Sequence, residues 1–330
     1  MKQFSSALFV CFTLIAPSAQ AYNAGSISFS TDNDGIVGTD KNYTNGVFLE
    51  YNSAAITQFD TQAPMPLNHI ASLLPFRNNT QKGWSFRIGQ QMWTPEDIEA
   101  TTPVTNERPY AGLLFLETSL YQYSATAVDK YSAMLGITGP NALTEESQKL
   151  IHDIIGSEDP MGWDYQIESQ AVFNLGYQGD RLITRQRTSF INDYDISGVG
   201  RINVGNYQSE VAVGGVARWG SNLADNFGSI GFSPNKFVDV SVLSSSKAGY
   251  FLFTGIESRY RFNDITIDGD RPDIVPDTHV KHLQATAVLG AVYYQPKWGA
   301  SLSFAITTPE YEEDKHRSNS VGSLELFWRL

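Results

Sequence analysis

The sequence has 330 residues, a formal net charge of −12, 12% aromatic residues and a single cysteine. Binding to nucleic acid relies on clustered lysine and arginine against phosphate, so an acidic chain of this kind is a poor candidate for it. A chain with one thiol forms no internal disulfide. Beyond residue 21, no stretch approaches the roughly 20 apolar residues that a membrane-spanning helix needs, which excludes a helical membrane protein.

The N-terminal segment has the pattern of a secretory signal. Lys2 precedes an apolar run from Ala7 to Ala16, and an Ala-x-Ala sequence ends at Ala21. We predict that residues 1–21 are a signal peptide and that residues 22–330 form one domain. Cys11 would leave with the signal, so the exported chain would have no thiol chemistry.

Strands are predicted by the alternation of apolar and polar residues along much of the chain. Trp84, Phe86 and Ile88 alternate with polar or small residues, and this period of two indicates strands with one apolar face. Candidate strands lie near residues 25–34, 44–53, 84–92, 112–122, 129–138, 170–178, 202–214, 228–242, 248–261, 282–294, 299–307 and 320–330.

A soluble β-sandwich and a transmembrane β-barrel share this alternation. A final strand that ends at the last residue, in an exported chain rich in tyrosine and phenylalanine, is typical of outer-membrane barrels. We therefore predict an all-β fold, a transmembrane antiparallel β-barrel of about twelve strands, in the outer membrane of a Gram-negative bacterium. We expect it to be a monomer.

The order of the strands predicts which connections share a side of the membrane. If both termini lie in the periplasm, the connections from odd to even strands are extracellular. Three polar segments then fall on the extracellular side: residues 30–46 (STDNDGIVGTDKNYTNG), 106–112 (NERPYAG) and 144–163. The connection from about 54 to 83, with its apolar HIASLLPF, falls on the periplasmic side and is longer than the usual turn. It suggests a plug or a surface helix.

Helix signals are clear in the third polar segment. Thr144 is a candidate N-cap, and Gly156 is a candidate stop. The apolar residues between them are Leu150, Ile151, Ile154 and Ile155. Gln148 and His152 are four residues apart and therefore share a helix face. Neutral histidine is a suitable general base near pH 7.

Four spaced motifs together resemble one known family. They are DND at 32–34, TDKNYTNG at 39–46, ERPYAG at 107–112 and HDIIGSE at 152–158. In this order, in a chain with a signal and a barrel pattern, they are similar to the outer-membrane lipid A 3′-O-deacylase family. The resemblance covers most of the mature chain and implies a twelve-stranded barrel that removes the 3′-linked acyloxyacyl group of lipid A and depends on Ca²⁺. It places the site between the barrel wall and a helix of an extracellular loop.

The resemblance also implies roles for individual residues. Asn33, Asp34 and Thr44 match residues essential in the family, and His152 matches its general base. Glu158 matches an acidic residue near the cation, so that Asp34 and Glu158 are the predicted metal ligands. Gln148 is predicted to bind substrate, and Arg108 is the first candidate for a lipid A phosphate contact, with Lys41 the second.

This assignment agrees with the chemistry of ester hydrolysis. A base must take a proton from water, and a positive charge is needed where the carbonyl oxygen becomes negative. Calcium supplies such a charge through oxygen ligands. The polar segment at 30–46 would then form the cation and oxyanion side of a site, and the helix would bring the base.

Alternatives remain for each motif. Asn33, Asp34 and Thr44 are also ordinary turn-forming residues, and the match of residues 30–35 to an EF-hand loop fails where Ser30 replaces the first acid. His316 and Ser318 form a His-x-Ser pair similar to that of a different, serine-dependent lipid A deacylase. A passive channel or adhesin would share the signal, the strands and the polar loops.

Overall fold

The described part of the computed structural model covers residues 25–37, 42–78, 80–189, 191–234, 236–243 and 248–330. The predicted signal peptide and Lys41 lie outside these residues. Among the described residues, twelve antiparallel strands close into one barrel, in which each strand pairs with its sequence neighbours and β1 pairs with β12. The strands are β1 (Ser26–Asn33), β2 (Asn42–Asn52), β3 (Gln81–Thr94), β4 (Ala111–Tyr123), β5 (Ala127–Thr138), β6 (Ala171–Arg187), β7 (Asp193–Gly205), β8 (Gln208–Gly220), β9 (Gly249–Asp264), β10 (Leu283–Tyr294), β11 (Trp298–Thr307) and β12 (Asn319–Arg329).

The strands present their apolar faces outward, the reverse of a soluble protein. On β3, Phe86 and Ile88 are exposed, whereas Ser85 and Arg87 between them are buried in the lumen. The same arrangement continues around the barrel. Exposed apolar side chains on other strands include Leu49, Leu116, Leu135, Leu175, Val213, Ile256, Leu289, Leu302 and Leu324. A continuous apolar outer wall with a polar interior is typical of a barrel in lipid.

Among the described residues, four α-helices lie in the connections. They are α1 (Phe59–Gln62), α2 (Leu67–Ala71), α3 (Thr144–Ile155) and α4 (Ile265–Asp268). No helix of the described residues is long and apolar enough to cross a membrane.

The barrel has two different ends. We call the end at which β1 begins and β12 finishes the terminal end, and the other the loop end. The three polar segments predicted to share one side, together with α3, all lie in connections of the loop end. The long connection between β2 and β3 and its two helices lie at the terminal end.

The lumen is filled from the terminal end by the connection between β8 and β9. We call its described residues 221–234 and 236–243 the lumen insert. Phe232, Phe237 and Leu243 belong to the same buried cluster as inward-facing residues of the wall such as Phe253. Lys130 on β5 forms an ion pair with Asp239 at 2.6 Å, and Lys236 forms one with Glu117 on β4.

Two of the predicted strands are wrong in the region of the insert. The described residues of 228–242 form no wall strand. They belong to the lumen insert, where polar and apolar side chains such as Ser229, Ile230 and Phe232 are buried alike. The predicted strand 202–214 instead contains the end of β7, a turn of two residues at Asn206 and Tyr207, and the start of β8. The total of twelve strands was therefore correct although these two boundaries were wrong.

Several charges inside the lumen are paired with one another. Arg201 contacts both Glu210 at 2.5 Å and Glu257 at 2.7 Å, and Arg261 contacts Glu210 at 2.9 Å and Asp264 at 2.7 Å. Because an unpaired charge in such a site has a large desolvation cost, the pairing lets the wall carry polar residues on its inner face.

Candidate active site

The first part of the site is the loop end of β1 and β2. Asn33 is the last residue of β1, and its side-chain Nδ2 donates to the main-chain oxygen of Thr44 at 3.2 Å. A Cβ added to Gly35 would lie 2.6 Å from the Asn33 Oδ1 atom. A larger residue at position 35 would therefore displace the Asn33 side chain from its present place. Asp34 opens the turn after Asn33 and is buried.

Thr44 lies at an irregularity of the sheet. The pairing of β2 with β3 passes from Tyr43 to Asn45 and skips Thr44, which makes Thr44 the extra residue of a β-bulge. Bulges re-aim a side chain and are frequent beside active sites. The Thr44 hydroxyl is buried and lies 2.8 Å from the hydroxyl of Thr94 on β3.

The second part of the site is α3 and the residues that follow it. The helix ends as predicted at Gly156, which adopts the left-handed conformation (φ 73°, ψ 36°) and donates to the main-chain oxygen of His152 at 2.8 Å. Its beginning differs from the prediction. Leu143 is the N-cap, with φ 57°, and the side chain of Thr144 instead lies against Gly112.

Gln148 is held deep between α3 and the residues after it. It is 3% exposed, and its Oε1 accepts a hydrogen bond from the Trp163 Nε1 at 2.8 Å. Its Nε2 has no hydrogen-bond partner among the described residues. A buried amide donor without a partner costs free energy of about 1–3 kcal/mol. The arrangement therefore leaves one donor available to an oxygen atom of a ligand.

His152 is oriented by the loop after the helix. Its Nδ1 lies 2.5 Å from the main-chain oxygen of Glu158. A carbonyl oxygen only accepts, so Nδ1 must carry the proton, and in the neutral ring Nε2 keeps its lone pair. The geometry thus selects the tautomer in which Nε2 is a base.

The side chain of Glu158 contacts a second carboxylate that the sequence reasoning missed. Glu99 lies in the connection between β3 and β4, and its hydrogen bond with Glu158 raises the pKa of Glu99. The acidic run Glu96, Asp97 and Glu99 in a polar loop was the available signal. Its contact with Glu158, 59 positions later in a different loop, could not be read from the spacing.

The two parts of the site are joined through β3. Thr94 contacts Thr44, and Met92, two residues earlier, is opposite Asn45 and packs with Tyr110 and Trp163. Trp163 in turn donates to Gln148. A chain of contacts thus links Asn33, Thr44 and Gln148, and His152 lies one turn after Gln148 on the same helix. Within the described residues, no hydrogen bond joins His152 directly to Asn33 or Thr44.

The donors of the site suit calcium by type, since Ca²⁺ prefers carboxylate, amide and main-chain oxygens. The described residues nevertheless contain no group of three or more His, Cys, Asp or Glu side chains that could hold a metal ion. Asp34 and Glu158 would therefore have to be completed by amide or main-chain oxygens or by water. The contact of Glu158 with Glu99 places two acids where a cation would relieve their repulsion.

Arg108 is engaged by other groups of the protein. Its side chain is 1% exposed, forms an ion pair with Glu310 at 3.2 Å and donates to the Thr266 hydroxyl at 2.8 Å. Its guanidinium also lies over the Trp93 ring, 5.4 Å from the centroid. The contacts assign Arg108 a structural role between loops, and the phosphate contact predicted for it stays a prediction without geometric support. Lys41, the second candidate, lies outside the described residues.

The alternative His-x-Ser pair has different partners in the structure. His316 has its Nδ1 2.9 Å from Asp314 and its Nε2 3.3 Å from Glu96. Both ring nitrogens are therefore occupied by carboxylates. A serine nucleophile requires one of them as its base, so the geometry gives no support to a His316 and Ser318 dyad.

Comparison with known proteins agrees with the fold. The solved structure of LpxR from Salmonella typhimurium is similar over 92% of this chain and 100% of its own, with a TM-score of 0.77 and 17% sequence identity. The β domain of the Bordetella autotransporter BrkA matches 93% of this chain and 98% of its own at 6% identity, with a TM-score of 0.40 that carries no argument. Among curated proteins, no sequence matches.

A family model described as outer membrane protein LpxR matches residues 6–330. The match spans nearly the whole chain and confirms the family predicted from the motifs. The twelve-stranded barrel predicted from alternation is confirmed by the closed sheet and by the similarity of the Salmonella structure. The chain belongs to the LpxR family of outer membrane proteins.

Proposed function

We propose that this protein is a lipid A 3′-O-deacylase that hydrolyses the ester of the 3′-linked acyloxyacyl chain at the outer leaflet, as a monomer. The observation that carries the proposal is His152. Its Nδ1 is fixed on the main-chain oxygen of Glu158, and its Nε2 is available as a base. The loop end, with α3, would face the outside of the cell.

The position of α3 supports a membrane lipid as the substrate. Gln90 follows Phe86 and Ile88 on the outward face of β3, and its Nε2 donates to the main-chain oxygen of Ala142 at 2.7 Å. The segment leading into α3 is therefore attached to the outer surface of the wall. Leu150, Ile151 and Ile154 on α3 are exposed. An ester between sugar and acyl chain lies at the boundary between headgroups and hydrocarbon, which is the level this helix would occupy.

The side chains can be given steps in ester hydrolysis. His152 Nε2 takes a proton from water while the water oxygen attacks the ester carbonyl carbon. The Nε2 of Gln148 has a free donor for the oxygen on which negative charge develops. As the bond between the carbonyl carbon and the sugar oxygen breaks, the protonated His152 returns its proton to that oxygen. The products are a free acid and a sugar hydroxyl.

Calcium, when bound by Asp34 and Glu158, would supply positive charge close to the carbonyl oxygen. Asn33 would help to hold the turn that carries Asp34, because its amide is bonded across to the main chain of Thr44. Thr44 would hold the end of β2 against Thr94 on β3.

Mass spectrometry of lipid A tests the proposal. Cells that express this chain should lose the mass of the 3′-linked acyloxyacyl group, and the purified protein should remove it from extracted lipid A only with calcium. Lipid A of unchanged mass in both assays, from barrels shown to be folded in the outer membrane, would leave a non-enzymatic barrel.

Glu158 provides a test of the metal site that does not depend on hydrolysis. Removing one charged ligand should weaken calcium binding by at least about tenfold, because ligand charge sets affinity. Calorimetric titration of Glu158→Gln with calcium should show this loss. Glu145→Gln is the matched control, since Glu145 lies on α3 but is paired with Lys149 at 2.6 Å. Equal affinity in both variants would contradict the assignment.

The apolar face of α3 gives a prediction about substrate binding. Ile154→Asp should raise KM for lipid A by about 10-fold or more, because burial of an isoleucine side chain in hydrocarbon is worth about 1.5–3 kcal/mol. Asn141→Asp adds the same charge to the same loop at an exposed position outside this face and should leave KM unchanged. A similar rise in both variants would show that charge alone is responsible.

A further inference from the structure

At the terminal end, the connection between β2 and β3 forms a small hairpin on the outside of the barrel. We call residues 56–76, which contain α1 and α2, the outer hairpin. Ile56 bonds to Lys82 on β3 through two main-chain hydrogen bonds of 2.8 and 2.9 Å, which fasten its start to the wall. Ile56, Phe59, Leu67 and Ala71 form one buried cluster with Leu120 of β4.

The surface beneath the outer hairpin is the lipid-facing side of the wall. Leu120 is two residues along the same face from Thr118 and four from Leu116, which is 63% exposed. Its partner on β3 is Trp84, next to the exposed Phe86 on the same face. The outer hairpin therefore covers the outer wall and not the lumen. It is a surface element and not the plug, a role taken by the lumen insert.

Aromatic side chains mark this level of the wall as a membrane boundary. Trp84, Leu120, Tyr131 and Tyr177 are direct cross-strand neighbours on successive strands. Phe76 of the outer hairpin packs on Tyr131 at 5.5 Å and on Phe59 at 4.7 Å. Outer-membrane barrels carry such aromatic girdles where hydrocarbon meets headgroups.

The outer hairpin presents further apolar side chains away from the wall. Met65 is 74% exposed and Leu73 is 84% exposed, and Ile70 lies between them in sequence and is also exposed. Arg77, the residue that follows the outer hairpin, also has an exposed side chain. Apolar residues next to an aromatic girdle, flanked by a cation, fit a lipid surface with phosphate headgroups.

We propose that the outer hairpin is an interfacial anchor that inserts Met65, Ile70 and Leu73 among the phospholipids of the periplasmic leaflet. The leaflet assignment rests on the proposed function, which places the loop end at the outer leaflet. The lipid contact itself rests on continuity with the apolar wall. Because the outer hairpin is attached to β3 and β4, the anchor would fix how deeply these two strands lie in the membrane. The same strands carry Thr94 and Gly112 at the loop end.

Site-directed spin labelling in phospholipid vesicles tests the anchor. The chain used has Cys11 replaced by serine. A nitroxide at Leu73→Cys should be accessible to oxygen and protected from a water-soluble nickel complex. Both accessibilities should match those of a label at Leu289→Cys on the barrel wall. Asp60→Cys, an exposed polar position of the same hairpin, should be accessible to nickel. Met65→Cys should repeat the Leu73 result if that variant does not fold.

Nickel accessibility at Leu73 equal to that at Asp60 would overturn the anchor, and so would protection of Leu73 from both reagents. Intact cells test the leaflet. A membrane-impermeant maleimide should label Asp277→Cys, a polar loop-end position that is 86% exposed, from outside, and Asp60→Cys only after the outer membrane is permeabilised. Labelling of Asp60→Cys on intact cells would overturn the leaflet assignment. None of these results depends on hydrolysis, so failure of the deacylase proposal would be seen separately.

Discussion

Replacement of His152 by alanine is expected to lower the rate of lipid A deacylation by about 10²–10⁴-fold, the usual contribution of a positioned general base. The physical reason is the fixed tautomer. With Nδ1–H donated to the Glu158 carbonyl, Nε2 is the atom that accepts the proton of water. The rate should be measured with purified barrel in micelles, from the masses of substrate and product over time. The barrel should stay folded, because the His152 side chain is on a loop helix outside the wall.

Two matched variants separate this role from a general effect of histidine loss or of loop damage. His279→Ala removes another loop-end histidine, which pairs with Glu313 at 2.6 Å, and should leave the rate unchanged. Ser318→Ala should also leave it unchanged. Full activity in His152→Ala together with loss in Ser318→Ala would move the chemistry to the connection between β11 and β12.

Replacement of Arg218 by methionine should lower the free energy of unfolding by about 3 kcal/mol, near the lower end of the cost of breaking a buried ion pair. The guanidinium of Arg218 is 2.7 Å from the Asp195 carboxylate and donates to the main-chain oxygens of Asn226 and Leu223 at 2.7 and 3.0 Å. The last two bonds attach the lumen insert to the wall. We expect a free-energy cost near the lower end of that range because Arg185 remains 2.9 Å from Asp195 and keeps this carboxylate paired.

Denaturant unfolding followed by tryptophan fluorescence measures this change. Arg187→Met is the control, because Arg187 is 73% exposed and lies 3.6 Å from Asp193. Exposed pairs contribute about 0–1 kcal/mol, so this variant should be nearly neutral. Equal losses in the two variants would mean that the insert is not held by the Arg218 contacts.

The wall was predictable because lipid and lumen impose opposite polarities on alternate residues. Phe86 and Ile88 face lipid, Arg87 faces the lumen, and this period of two is visible in the sequence. The same rule failed at residues 228–242, because polar and apolar residues of the lumen insert are buried alike and the alternation there does not mark a wall strand. It failed again at Asn206, since a two-residue turn interrupts the pattern too briefly to be seen.

The site was predictable where it depends on short-range spacing. Gln148 and His152 share a face because they are one helical turn apart, and Gly156 ends the helix as its residue type suggests. Long-range contacts were not predictable. The partner of Arg108 is Glu310, 202 positions away, and the partner of Glu158 is Glu99 in another loop. The roles of Asn33, Asp34, Thr44, Gln148 and His152, and the calcium ion, stay predictions for the experiments above.

The lumen insert bears on what this barrel does to the cell that makes it. Phe232, Phe237 and Leu243 occupy the space through which nutrients and antibiotics pass in an open pore of the same architecture. Beside these side chains the lumen keeps a cavity, which is lined by Phe232 and Lys236 of the insert and by wall residues such as Glu117. We expect the insert to narrow the lumen and so to limit leakage through the barrel. If the proposed deacylation takes place, an effect on drug sensitivity would come from the altered lipid A.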